Sequence, residues 1–197
     1  MKTKKRAARR HGASRSAKAT SKATTATALK LGLPRLGAVW PGQGGRFAGL
    51  IIGEDGQPNY AEVAADLKHW PKGAWSPRTR LTGAESEYDG MANTRAMAAA
   101  GNEAAKQALA ARIDGHNDFY IASRFEERLV QLNRAAPGHT GWAWSSTQLR
   151  ADDVYAWAQT FDDGNQSLYH KVTESPFVLV RMGTLRTRTK GDSVTLW

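Results

Sequence analysis

Across residues 155–161 large side chains alternate with smaller ones: Tyr155, Trp157, Gln159 and Phe161 are separated by Ala156, Ala158 and Thr160. A period of two is the pattern of a half-buried strand, because successive side chains point to opposite faces. Asp163-Gly164 follows, and an Asp-Gly pair accepts positive φ at little cost, so the pattern predicts a tight hairpin with residues 165–171 returning antiparallel. Residues 177–181, Phe-Val-Leu-Val-Arg, then read as a buried apolar strand. Upstream, Trp142-Ala143-Trp144-Ser145-Ser146-Thr147 reads as a short strand running into a polar loop.

Nearer the N-terminus, Pro41-Gly42-Gln43-Gly44-Gly45 leads into an apolar strand over residues 46–52, and residues 54–59 turn it back. The Ala-rich run 91–112, with Met91, Ala98, Ala105 and Leu109 toward one face, predicts a helix that Gly115 terminates. A second, shorter helix is predicted over 125–132, with Leu129 and Leu132 facing a sheet. Residues 65–90 show no period and are rich in Trp, Pro, Gly and charge, so they read as an irregular insertion. Within it Trp70 and Trp75 either pack over the core or serve as exposed aromatic anchors for a partner. These elements together define an α+β chain.

Charge divides the chain in two. Residues 1–30 hold ten Lys/Arg and no acid, which equals the whole net charge of +10, so the remainder is balanced at 18 basic and 18 acidic residues. A basic tail on a neutral body differs from a domain with a basic face. The arm is Ala-, Ser- and Thr-rich without aromatics, too apolar-poor to offset its ordering entropy, and is expected to be flexible. It reads as a solvated tether, as an anchor onto a larger assembly, or as a salt-sensitive contact to DNA or RNA through Lys2, Lys4, Lys5, Arg6, Arg9, Arg10 and Arg15. No apolar run of about seven to fifteen residues follows the basic stretch, which argues against an export signal, although the composition also resembles a mitochondrial transit peptide. No window approaches the ~20 apolar residues of a membrane span. Residues 31–197 are expected to form a single domain, with 183–197 a final strand or a tail.

Candidate chemistry is sparse. The chain has no Cys, so disulfides, thiolate metal sites and cysteine catalysis are excluded. Its five His (His11, His69, His116, His139, His170) show no zinc-ligand spacing, and no metal or cofactor is expected. Asp152-Asp153 and Asp162-Asp163 read as loop charges, and Ser145-Ser146 lacks the flanking glycines of a nucleophile elbow, so a non-enzymatic protein is expected. The glycines of 42–45 lack the Lys-Ser/Thr of a phosphate loop and precede a strand. Gln57-Pro58-Asn59 mimics a calcium-lectin sugar triplet but sits in an early turn without the partner Trp-Asn-Asp, and reads as a turn.

Three pieces in order also carry a resemblance: the Trp144-Ser145-Ser146 motif, the Tyr155-Ala156-Trp157 strand ending in Phe161-Asp162-Asp163-Gly164, and the terminal Val180-Arg181 strand. Upstream, Asp118-Phe119-Tyr120-Ile121-Ala122-Ser123-Arg124-Phe125-Glu126-Glu127 stands where Asp-Trp-Arg-Leu-Pro-Thr-Arg-x-Glu-Leu is expected, with Phe119 for Trp, Ile-Ala-Ser for Leu-Pro-Thr and a blurred Glu-Leu pair. Over residues 91–182 the chain resembles the Lcl C-terminal domain family, a bacterial and phage group. The resemblance implies a C-type-lectin-like fold, a twisted antiparallel sheet with two helices, in which the hairpin after the early glycines forms the N-terminal edge. Formylglycine-generating enzymes share that fold but depend on cysteines, which this chain lacks.

The same resemblance implies a rigid body presenting a face built by its late loops and strands. Candidate ligand contacts there are Ser146, Thr147, Gln148, Arg150, Asp152, Asp153, Tyr155, Gln159, Asn165, Gln166, Ser167, Tyr169 and Lys171, while Trp142, Trp144, Trp157 and Phe161 fall on the family signature and are assigned to the core. Implied is a multicopy or homo-oligomeric phage virion protein, fibre- or tail-associated, assembled in the host cytoplasm and binding a host receptor, saccharide or protein. Its partners would be other virion proteins. Two alternatives stay open: a decoration protein stabilising the particle, and a nucleic-acid-associated protein of the bacterial cytoplasm acting through the arm.

Overall fold

The computed structural model describes residues 33–52, 60–76, 81–186 and 195–196. The arm, including Lys2, Lys4, Lys5, Arg6, Arg9, Arg10 and Arg15, the turn with Gln57-Pro58-Asn59, and most of the stretch beyond Arg186 lie outside the described residues. In order the elements are β1 (Val39–Trp40), β2 (Gly45–Ile51), β3 (Tyr60–Ala64), a 3-10 turn (Leu67–His69), β4 (Lys72–Ala74), α1 (Gly90–Ala99), α2 (Glu103–Ala110), β5 (Tyr120–Ile121), α3 (Arg124–Leu132), β6 (Trp142–Gln148), β7 (Tyr155–Thr160), β8 (Gln166–His170), β9 (Glu174–Pro176), β10 (Leu179–Arg186) and β11 (Thr195–Leu196). The chain is a mixed α+β protein with antiparallel sheets.

The main sheet runs β1-β2-β3-β10-β11, with β5 also paired to β10. The early hairpin therefore stands beside the last long strand, Tyr60–Ala64 lying antiparallel to residues 180–184. A second sheet has the order β6-β7-β8, and β4 pairs with β9. Trp144 bridges to Phe177 and ties the second sheet to the strand leading into β10. The core between these layers is built from Trp75, Trp144, Phe119, Met97, Phe177 and Leu179, all fully buried. On the far face of the main sheet a smaller cluster gathers Leu33, Phe47, Ala61 and Val63.

The 155–171 hairpin forms as its alternation predicts. Elsewhere packing overrides the one-dimensional pattern. The single helix expected over 91–112 is two: Gly101 takes φ 94°, a left-handed conformation that ends α1, and Asn102 caps α2 by accepting the Ala105 amide at 2.8 Å. Gly115 ends no helix and sits in the turn between Ile113 and His116. Gly90, the first residue of α1, lies so close to β5 that a Cβ would meet the Ile121 carbonyl oxygen at 2.6 Å.

In α3 the expected stripe is displaced. Leu132 is 59% exposed, Leu129 is only partly buried beside Gly49, and the inward face carries Glu126, Glu127 and Val130. Ser123 and Glu126 form a reciprocal capping box that fixes where this helix starts. Residues 145–148 do not leave the sheet as a polar loop but continue β6, buried. Trp70 and Trp75 are both core residues, their indole N–H groups donating to the carbonyls of Ala65 (2.9 Å) and Ser145 (2.8 Å).

Candidate functional site: the outer face of the late sheet

Directly opposed residues on antiparallel strands share a face. The register of β7 on β8 therefore puts Tyr155 with His170, Trp157 with Leu168 and Gln159 with Gln166 on one side, and Ala156, Ala158, Ser167 and Tyr169 on the other. The alanine side is the core side, where Tyr169 stacks on Trp142 with ring centroids 4.3 Å apart. On the outer side Tyr155 and His170 rings meet at 4.5 Å, and Leu168 is 37% exposed.

Arg124, the first residue of α3, locks this surface to the rest of the molecule. Its guanidinium lies 3.5 Å from the Trp157 ring centroid, a cation–π contact. It also donates to Gln166 Oε1 at 3.1 Å and to Glu87 Oε1 at 3.0 Å, while the Gln166 amide donates back to the Arg124 carbonyl at 2.8 Å. Trp157 is thereby held rigid and half-buried, with an edge in a cleft of about 410 Å³ whose walls include Glu85, Tyr88, Leu149 and Arg150. A rigid aromatic edge beside carboxylates and a guanidinium suits a polar ligand with one flat apolar face, bound by stacking and hydrogen bonds.

The thirteen sequence candidates divide sharply. Arg150 and Asp153 are exposed on the loop between β6 and β7, and Asp152 accepts the Val154 amide at 2.7 Å within that loop. Tyr155 and Gln166 stand on the outer face, with Asn165 exposed at its turn. Two donors of Asn165 hold the exposed Asp163 carboxylate below its ordinary range, the side-chain pair at 2.6 Å.

The other candidates require correction. Ser146, Thr147, Gln148, Gln159 and Lys171 are buried and serve the scaffold. Ser146 donates to the Ala122 carbonyl (3.0 Å), Thr147 to the Ser86 carbonyl (2.8 Å), Gln148 to the Leu81 carbonyl (2.6 Å), Gln159 to the Thr160 carbonyl (2.8 Å), and Lys171 to Gln148 Oε1 (2.8 Å). Ser167 and Tyr169 have the wrong parity and face the core. Conversely Trp157, assigned to the core, belongs to the outer face, as its shared parity with Tyr155 could have indicated. Arg124, Glu87, Leu168 and His170 were missed. Leu168 and His170 were readable from the hairpin register, whereas nothing along the chain connects Arg124 with Trp157.

Among the described residues no group of three or more His, Asp or Glu is placed to hold a metal ion, and no helix is long and apolar enough to cross a membrane. No family model matches the chain, and no curated protein matches it.

Proposed function

We propose that this chain is a non-enzymatic, C-type-lectin-like binding protein of a phage virion, which displays the outer face of its late sheet to a host receptor and is anchored to the particle by its basic arm. The observation that carries the reading is the Arg124-clamped Trp157 beside Tyr155, His170 and the Arg150 loop: a preorganised aromatic and polar surface on a sheet. Preorganisation lowers the entropic cost of binding, so such a surface suits recognition without chemistry. The early hairpin beside β10, the capped helix α3 and the smaller late sheet are consistent with the lectin-like architecture implied by the family resemblance.

Saccharide is the favoured ligand class, because the half-buried Tyr155 ring and the open edge of Trp157 can pack against the apolar face of a sugar while Glu85 and Arg150, on the Trp157 cleft, hydrogen-bond its hydroxyls. The test is sedimentation of full-length protein with host cells. Tyr155→Ala with Trp157→Ala should weaken cell binding at least tenfold, while replacing the ten basic arm residues by Gln should leave it unchanged and abolish attachment to particles lacking this component. Cell binding that ignores the double substitution, or retention on DNA as the only arm-dependent activity, would overturn the reading.

A further inference from the structure

Tyr88 also lines a second cleft, of about 460 Å³, between the end of β2, the start of α1 and the start of α3. It is 68% exposed and stacks on Phe125 with centroids 4.3 Å apart. Tyr60 and Tyr120 add two more rings to the walls. The polar groups are Asp89, Asp118 and Glu126, and no Lys, Arg or His lines the cleft among the described residues. Asp118 is already engaged, its two oxygens accepting from Arg181 Nε (2.8 Å) and Nη2 (3.0 Å).

Glu62 lies beneath. It shares a face of β3 with Tyr60 and sits opposite Met182 in the register, and both of those neighbours line the cleft. It is fully buried, and neither carboxylate oxygen has a hydrogen-bond partner among the described residues. Its neighbour Glu126 accepts from the Tyr120 hydroxyl at 2.8 Å and the Ser123 amide at 2.6 Å. Burial pushes Glu62 well above the carboxylate range, with the Glu126 charge adding to it, and burial pushes Glu126 up to about 7. Carboxyls held protonated behind aromatic walls, with no cation lining the cleft among the described residues, would ionise against an ammonium or guanidinium group that entered it.

We propose that this cleft takes a lysine or arginine side chain of the chain's own N-terminal arm, in the same or a neighbouring copy. Charge complementarity favours that occupant: Asp89 lines the cleft and no base does among the described residues, a cation entering would draw Glu126 toward its ionised form, and residues 1–30 hold ten of the 28 basic residues with no acid. Thirty-two residues precede Leu33. Extended, they span on the order of 100 Å, more than the width of such a domain. Docking of this kind would tie neighbouring copies together or hold the arm until the particle claims it, whatever ligand the late sheet binds.

The experiment uses a full-length chain whose ten arm Lys/Arg are changed to Gln, titrated at low salt with a synthetic peptide of residues 1–32 and followed by calorimetry. Saturable binding should weaken at least tenfold in Tyr88→Ala, an exposed site that spares the core, and in Glu126→Gln, which keeps an acceptor for the Ser123 amide. It should be unaffected by Asp153→Asn in the loop between β6 and β7, which does not line the cleft. In the unmodified protein, zero-length carbodiimide coupling should join Lys2, Lys4 or Lys5 to Asp89. Affinity indifferent to Tyr88→Ala, or equally reduced by Asp153→Asn, would show diffuse charge attraction and overturn the proposal.

Discussion

Two polar regions of this molecule are equally dry and built on opposite terms. Along β6, Ser145, Ser146, Thr147 and Gln148 are almost completely buried, and each side chain has partners: Ser145 reaches the Trp157 carbonyl, Thr147 accepts the Arg124 amide, and Gln148 holds both the Leu81 backbone and Lys171. Asn93 closes this network from α1, donating to the Ser86 carbonyl at 2.7 Å and accepting the Ser86 amide at 3.0 Å. Beneath α3, by contrast, Glu62 is buried with neither oxygen partnered among the described residues, and Glu127 on the inward side of the helix is equally buried, with the Gln159 backbone as its polar neighbour. A satisfied buried network fixes geometry and rigidifies what it touches, here the sheet that carries Trp157. An unsatisfied buried carboxyl keeps its proton and makes stability depend on pH.

Among single substitutions, breaking the satisfied network should have the largest effect on stability. Asn93→Leu strands the Ser86 amide and leaves the Ser86 carbonyl to the Thr147 hydroxyl alone, and is expected to cost about 2 kcal/mol, seen as a lower urea midpoint at an unchanged slope. A loss under about 1 kcal/mol would mean that water substitutes for the amide and the network is not closed.

The carboxylate region should show itself by a pH dependence of unusual sign. Glu126 titrates near 7 in the folded chain against 4.5 ordinarily, and Glu62 and Glu127 are raised in the same direction. Between those values the unfolded chain releases a proton that the folded chain keeps. The stabilisation is therefore complete below about pH 4.5 and is lost as pH rises through about 7, a range of about 3 kcal/mol for Glu126 alone. Urea midpoints should rise from pH 8 to pH 5; a falling midpoint would show these carboxyls to be paired.

A smaller, sharper effect follows from removing the unpartnered group. Glu62→Leu should raise stability at pH 8 by about 1–2 kcal/mol and flatten the pH slope, because it trades a buried ionisable group for an apolar one of similar size. Destabilisation at pH 8 would reveal a partner for Glu62. The smallest change in stability belongs to the outer face. Tyr155→Ala and Leu168→Ala should shift it by no more than about 0.5 kcal/mol while altering ligand binding, the behaviour of residues placed for recognition.

The extent to which the site was legible follows the same division. The hairpin of β7 and β8 was readable because alternation and an Asp-Gly turn are local signals, and its register gave the parity that separates Tyr155, Trp157, Leu168 and His170 from Ala156, Ser167 and Tyr169. Polar identity alone misplaced Ser146, Thr147, Gln148, Gln159 and Lys171, because a polar residue can be buried wherever a distant partner satisfies it. Those partners come from Leu81, Ser86 and Ala122, which no local pattern connects to β6. In α3 the leucines drew the reading toward the wrong face, since the helix is oriented by its Ser123–Glu126 cap and by its packing on strands β2, β6 and β7.

By itself the sequence determined an α+β chain, its main hairpins, its buried late strand at 177–181, a basic segment set apart from a charge-balanced body, and the absence of cysteine chemistry. These are properties of composition and of patterns a few residues long. Tertiary structure alone decided that the Ala-rich run is two helices, that the polar end of β6 is interior, that Arg124 clamps Trp157, and that Glu62 and Glu126 meet beneath an aromatic cleft. Each depends on residues far apart in the chain being brought into one low-dielectric environment, where hydrogen-bond satisfaction and desolvation are settled by neighbours the local sequence does not name.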